Sequence, residues 1–262
     1  MGRVVVVTSG KGGVGKTTIT ANLGVMLALG GRSVCVVDAD IGLNNLDVVL
    51  GVENRIVYDL VDCMEGKCRA IQALLQDDML QGLYVLPCCK IYDGRHIDVE
   101  NFCRIIKSLQ SSFDFVLIDS PAGVGEGFFM ASAPAEEAII VVNPHISSIR
   151  DASKTIALLE KQKINNVSVV INRVQAVKVK KREMLSVDEI EVLLSKKSIG
   201  IIPESEELWH YNSFLARSEP FQDSSIKYAF AFLSKNLVCN RFDKYNYLSK
   251  NGRFAKILKK GW

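Results

Sequence analysis

Residues 9 to 18, SGKGGVGKTT, carry the residue types that phosphate chemistry needs, at the spacing it needs them. The pattern G-x-x-x-x-G-K-T is met by Gly10, Gly15, Lys16 and Thr17. Glycine at Gly10, Gly12, Gly13 and Gly15 lets backbone N–H groups converge on phosphate oxygens, and Val14 and Thr18 belong to the same cradle. Lys16 neutralises the β- and γ-phosphates, and the Thr17 hydroxyl suits a Mg²⁺ ion. Lys11 is then one lysine more than such a loop requires.

Two further stretches supply carboxylates to the same chemistry. VCVVDADIG ends an apolar run in Asp38 and Asp40, and FDFVLIDSPAG ends another in Asp119. Acids at the tips of adjacent parallel strands suit a magnesium shell and a water nucleophile. Strand alternation sends Asp38 and Asp40 to one side. Gly123 is placed to bring a backbone N–H to a γ-phosphate. There is no N-K-x-D sequence, which disfavours guanine and leaves adenine as the expected base.

The elements that must hold these residues follow from hydrophobic patterning. Val/Ile-rich runs without alternation read as strands covered on both faces, at residues 3–8, 33–38, 83–86, 115–119, 138–142, 167–172 and 199–202. Helical stretches fall between them, at 16–29, 99–109, 147–161, 187–194 and 226–236, with Ser186 and Glu189 framing the fourth as a capping box. This alternation predicts an α/β fold: a single doubly wound, mostly parallel sheet flanked by helices. The ligand is then expected at the carboxyl ends of the strands.

The chain has 262 residues, 48% of them hydrophobic, which is enough for a substantial core. A formal charge of +3 is near balance and argues against a dedicated nucleic-acid coat. Seven cysteines without a C-x-x-C pair read as a reduced chain. The spacing of Cys63, Cys68, Cys88 and Cys89 matches no common zinc pattern, and His96, His145 and His210 are scattered. No apolar run approaches the ~20 residues that span a bilayer. RVVVVTSG opens the sequence as a strand running straight into the loop, so a protein working in the compartment where it is made is expected.

After Cys239 the composition turns polar, basic and aromatic. The expected organisation is a P-loop domain over 1–239, a linker over 240–250 and an amphipathic helix over 251–262. In NGRFAKILKKGW, a period of about 100° per residue puts Phe254, Ile257, Leu258 and Trp262 on one face. Lys256, Lys259 and Lys260, with Arg253, fall on the other, as in helices that lie in an anionic headgroup layer.

KGGVGKT resembles the deviant Walker A loop of MinD/ParA-type ATPases, in which the first lysine reaches the partner subunit's nucleotide. VVDADIGLNNLDVVLG, VYDLV, LIDSPAG, NPHISSIRDASK, MLSVDEI and GIIPES resemble the septum site-determining branch, the MinD family. The resemblance implies an ATP- and Mg²⁺-dependent homodimer, cytoplasmic and peripheral on the inner face of the cell membrane, or in the stroma and on the inner membrane of an organelle. It would recruit a MinC-type inhibitor and be released by a MinE-type activator of hydrolysis. Carried over, Lys11, Lys16 and Asp40 are catalytic, with Asp40 positioning the attacking water. Thr17, Asp38 and Asp119 serve the metal, Asn172 and Arg173 contact adenine, and Pro203 lines the base. Asn44 stands where the family usually has arginine, His145 where it has glutamate, and Glu126 is shifted by one place. The basic run KVKKR, Lys178–Arg182, reads as a solvated loop face.

Other classes share the loop. A ParA-type DNA-partitioning ATPase would want basic residues over one face, which +3 supports thinly. An iron protein would need cysteines near the switch, and Cys103 and Cys239 bracket a stretch that has none. A small-molecule synthetase would need a second substrate pocket.

Overall fold

The computed structural model describes residues 1–42, 45–88, 98–205, 208, 224–245 and 247–248. Its strands are β1 Arg3–Thr8, β2 Val34–Asp38, β3 Leu75–Gln76, β4 Leu83–Leu86, β5 Phe115–Asp119, β6 Glu137–Val142, β7 Asn166–Val174 and β8 Ser198–Pro203. They form one sheet in the order β3-β4-β2-β5-β1-β6-β7-β8. Every pairing is parallel except β3 with β4. The expected doubly wound sheet is therefore present, and β1, which feeds the phosphate loop, sits near its middle.

The sheet is buried on both faces, which explains its continuous apolar runs. Along β1, Val4 and Val6 enter one core while Val5 and Val7 enter the other. Burying each such valine contributes roughly 1.5–3 kcal/mol relative to exposure. On one face lie α1 (Lys16–Leu29) and, at the end of the described chain, α10 (Ser224–Cys239). On the other lie α5 (Val99–Gln110), α7 (Ile146–Lys161) and α9 (Val187–Leu194). Shorter helices complete the described residues: α2 Leu46–Leu50, α3 Leu60–Met64, α4 Ala70–Ala73, α6 Glu126–Ser132 and α8 Ala176–Lys180.

Ser186 and Glu189 form the expected capping box on α9, and Asp59 and Asp98 cap α3 and α5 with their side chains. Helix α1 has no side-chain cap and starts from Gly15 in the left-handed region, at φ 95°. Its first-turn N–H groups are left for a ligand.

The stretch expected as a linker begins docked on the domain. Lys244 Nζ lies 2.9 Å from carboxylate oxygens of both Asp188 and Glu191, and the Tyr245 hydroxyl donates to the Ile201 carbonyl at 2.8 Å. Asn44 and the expected membrane-facing residues of 251–262, Phe254, Lys256, Ile257, Leu258, Lys259, Lys260 and Trp262, lie outside the described residues. Among the described residues no helix is long and apolar enough to cross a membrane.

Candidate nucleotide site

The phosphate loop is held by contacts a larger side chain would break. A Cβ on Gly10 would run into Asp151 of α7, and one on Gly15 into the Asn172 amide. Val14 is buried beneath the loop. Asn172 donates from Nδ2 to the Val14 carbonyl at 2.8 Å and accepts the Arg173 N–H at 2.9 Å. Its amide thus fastens the loop to β7.

The acids converge as the strand-tip reading expects. Asp38 and Asp119 are direct register partners on β2 and β5. Asp119 accepts the Thr17 hydroxyl at 2.6 Å and the Thr20 hydroxyl at 3.1 Å. Asp38 Oδ1 accepts the Asp40 N–H at 3.0 Å. Its other oxygen is buried without a hydrogen-bond partner. β2 ends at Asp38, so Asp40 is placed by this turn rather than by strand alternation.

Burial dominates the electrostatics. It pushes the Asp38 carboxyl up to about 8, with the neighbouring charge of Asp119 adding to the effect. Asp119 is raised to about 6, also by burial, against the opposing pull of Lys16 and the Thr17 and Thr20 hydroxyls. Asp40 is raised by burial and drawn back by Lys16. Two buried acids side by side, one with an unpartnered oxygen, fit a divalent cation that would keep both ionised. The donor set of hydroxyl and carboxylate oxygens is hard and suits Mg²⁺, whose remaining positions go to phosphate and water. No group of three or more His, Cys, Asp or Glu converges on a metal among the described residues. Cys89, His96 and His210 lie outside them.

The residues expected around adenine also come together. A cavity of about 210 Å³ is lined by Gly15, Thr18, Asn172, Arg173 and Pro203, joined by Glu204, Ser205 and Leu208. The first five were singled out from the sequence; Glu204 and Ser205 end the GIIPES stretch without having been given a role, and Leu208 lies beyond it. A larger cavity of about 900 Å³ lies between α4, α5 and β4, lined by Tyr84, Ile105, Leu109 and Phe113 with Arg69 and Arg104. None of the loop or strand-tip acids lines it.

Two loop-side residues point elsewhere than a phosphate bound to this subunit. The Gly123 N–H donates to the Ser9 carbonyl at 3.2 Å and must leave it to meet a phosphate. The Lys11 ammonium donates to the Ser147 hydroxyl of α7 at 3.3 Å. Exposed Val124, Phe129 and Ile146 occur on the neighbouring α6 and α7 segments.

The sequence profile of the CobQ/CobB/MinD/ParA nucleotide binding domain matches residues 5–214. The septum site-determining protein MinD of Thermotoga maritima is 50% identical over 210 residues, covering 79% of this chain and 78% of that one. Among solved structures, the MinC:MinD cell division protein complex of Aquifex aeolicus matches with a TM-score of 0.85 and 42% identity, over 94% of this chain and 99% of that chain. MinD of Pyrococcus horikoshii, solved with Mg-ADP, matches with a TM-score of 0.78 and 30% identity, over 90% and 96%.

Proposed function

Because the chain belongs to the MinD family of septum site-determining proteins, within the CobQ/CobB/MinD/ParA nucleotide-binding class, we propose that it is an ATPase whose ATP-bound dimer positions the division site from a membrane surface. ATP and Mg²⁺ are its cofactors. The dimer recruits a MinC-type septation inhibitor, and a MinE-type activator releases it by stimulating hydrolysis. That the Aquifex aeolicus relative was solved with MinC supports the first partner.

The loop cradles the phosphates with its backbone N–H groups, and buried Lys16 supplies the cation in cis. Thr17, with Asp38 and Asp119 beside it, would hold Mg²⁺, which would offset charge on the phosphate oxygens. Half-buried Asp40 orients the attacking water and accepts its proton, a role its raised pKa suits. The observation that carries the dimer is Lys11. It belongs to the loop, yet its ammonium rests on α7 at Ser147. In the dimer that ammonium reaches the partner's nucleotide, so charge stabilisation of phosphoryl transfer exists only once two subunits meet.

The anchor is residues 251–262, reached through 240–250. One short amphipathic helix binds weakly, and pairing two raises affinity by ~10²–10⁴-fold. ATP therefore brings the protein to the membrane by making the dimer. ATP turnover with anionic liposomes alone, against turnover with DNA alone, tests this. Liposome-dependent turnover is expected. Stimulation by DNA and not by liposomes would favour a ParA-type partitioning ATPase instead.

A further inference from the structure

We propose that the basic hairpin at Lys178–Arg182 is a second membrane contact, a surface for anionic lipid headgroups near the last described residues, Tyr247 and Leu248. The proposal rests on the membrane reading above and assigns a new part of the molecule to it.

The hairpin is posted outward on a fixed base. Helix α8 follows β7 directly and has no fully buried residue. Val179 and Leu185 pack against the core, and the Gln175 N–H reaches the Met184 sulfur at 3.3 Å across the base. Lys178, Lys180, Lys181 and Arg182 are all exposed. None of the four forms an ion pair with a described residue, although Arg182 feels the charge of Glu189. Four cations against the single Glu183 leave +3 over 178–183, as much as the formal charge of the whole chain. Val177, 57% exposed, adds an apolar side chain beside them.

The second observation is where the chain goes after α10. The Asn236 amide donates to the Asp243 carbonyl at 2.8 Å, and the next residue, Lys244, pairs with Asp188 and Glu191 of α9. The Tyr247 hydroxyl lies close enough to the Val187 backbone and to Asp188 for both to act on it. Val187 lies five residues beyond Arg182, at the start of α9. The last described residues therefore lie beside the loop that closes the basic hairpin. A segment continuing from Leu248 into a headgroup layer brings that hairpin toward the same surface. A short cationic projection with an apolar side chain suits a planar anionic interface. A nucleic-acid groove would call for a longer basic stripe.

The test uses the full chain carrying Lys178→Glu, Lys181→Glu and Arg182→Glu together, with ATP and vesicles of phosphatidylcholine containing increasing phosphatidylglycerol. Each basic group at an anionic surface is worth about a five-fold factor in affinity. The triple variant is expected to sediment at least about ten-fold more weakly than wild type, with a flatter salt dependence, while ATP-dependent dimerisation and lipid-free turnover stay unchanged. Equal sedimentation of variant and wild type would overturn the proposal and leave the membrane reading standing. Lost dimerisation would make the patch a subunit contact, and lost DNA binding with lipid binding intact would make it a nucleic-acid surface; either overturns it. A wild type that does not sediment would instead sink the membrane reading itself.

Discussion

The two ends of the central sheet handle charge in opposite ways. At the amino ends of the strands, Arg3 grips both oxygens of Glu137 at 2.6 Å, donates to the Leu237 carbonyl at 2.6 Å and to Asn240 at 3.0 Å, and stacks 5.1 Å from the Phe115 ring centroid. Four of the five N–H directions of that guanidinium are used, and the contacts tie β1 to β6 and to the end of α10. At the carboxyl ends, Asp38 and Asp119 face each other with an oxygen unpartnered. The first end holds the fold together. The second keeps charge unsatisfied for a ligand to complete, at a cost in stability.

The largest expected effect lies at the unsatisfied end. With the role proposed for its carboxylate, acting on water and not on binding, Asp40→Ala should lower ATP turnover by ~10²–10⁴-fold while leaving the ATP-bound dimer intact. Phosphate release measured beside light scattering checks both halves. Normal turnover would give the water-positioning role to another residue.

At the satisfied end the sign reverses. Arg3→Ala should cost roughly 2–3 kcal/mol in urea unfolding, because a partly buried Glu137 loses its charge partner and keeps only the Asn166 amide at 2.8 Å. Nucleotide affinity should not change. A mutant of unaltered stability and impaired ATP binding would erase the division between the two ends.

Smaller, and sharper, is a pH effect on the nucleotide-free protein. Folding raises Asp38 to about 8 and Asp119 to about 6, above the ordinary carboxylate value near 4. A raised carboxyl binds its proton more tightly when folded, so its stabilising contribution is complete below about pH 4. It is lost as pH rises through the folded values. Between pH 6 and 8, where Asp38 dominates, the loss should be roughly 1–3 kcal/mol at ~1.4 kcal/mol per unit. Thermal melts should show it, and Asp38→Asn or saturating Mg-ATP should flatten it. A melting temperature that climbs over this range would mean the acids are not held near neutral.

Much of the unsatisfied end was legible before the fold, and none of the Arg3 network was. The run Arg3–Thr8 and helix Lys16–Leu29 were bounded by composition alone, because an unbroken Val/Ile run, a glycine loop and a long apolar stretch after it follow one another with sharp edges. That Asp38 and Asp119 stand at neighbouring strand tips was expected from the sequence; their direct register pairing comes from the fold. Short elements were not legible: β3 has two residues, and α2, α3 and α4 four or five, too few for a period to show. Glu204 and Ser205 line the cavity beside Asn172 although GIIPES pointed only to Pro203, and Leu208 lines it from outside any motif. The linker's contacts escaped for the same reason: Lys244 and Tyr245 looked like solvated residues, and only the fold brings Asp188, Glu191 and Ile201 beside them.

The central claim is that the extra lysine of the loop acts on another subunit's nucleotide, and Lys11→Ala tests it most directly. Light scattering with ATP and Mg²⁺, run beside nucleotide binding on the same samples, separates the two lysines. Losing one charge-assisted contact costs ~1.5–3 kcal/mol. The variant is therefore expected to bind ATP through Lys16 and the backbone cradle and to remain monomeric, without stimulated turnover. A variant that dimerises as fully as wild type would contradict the account.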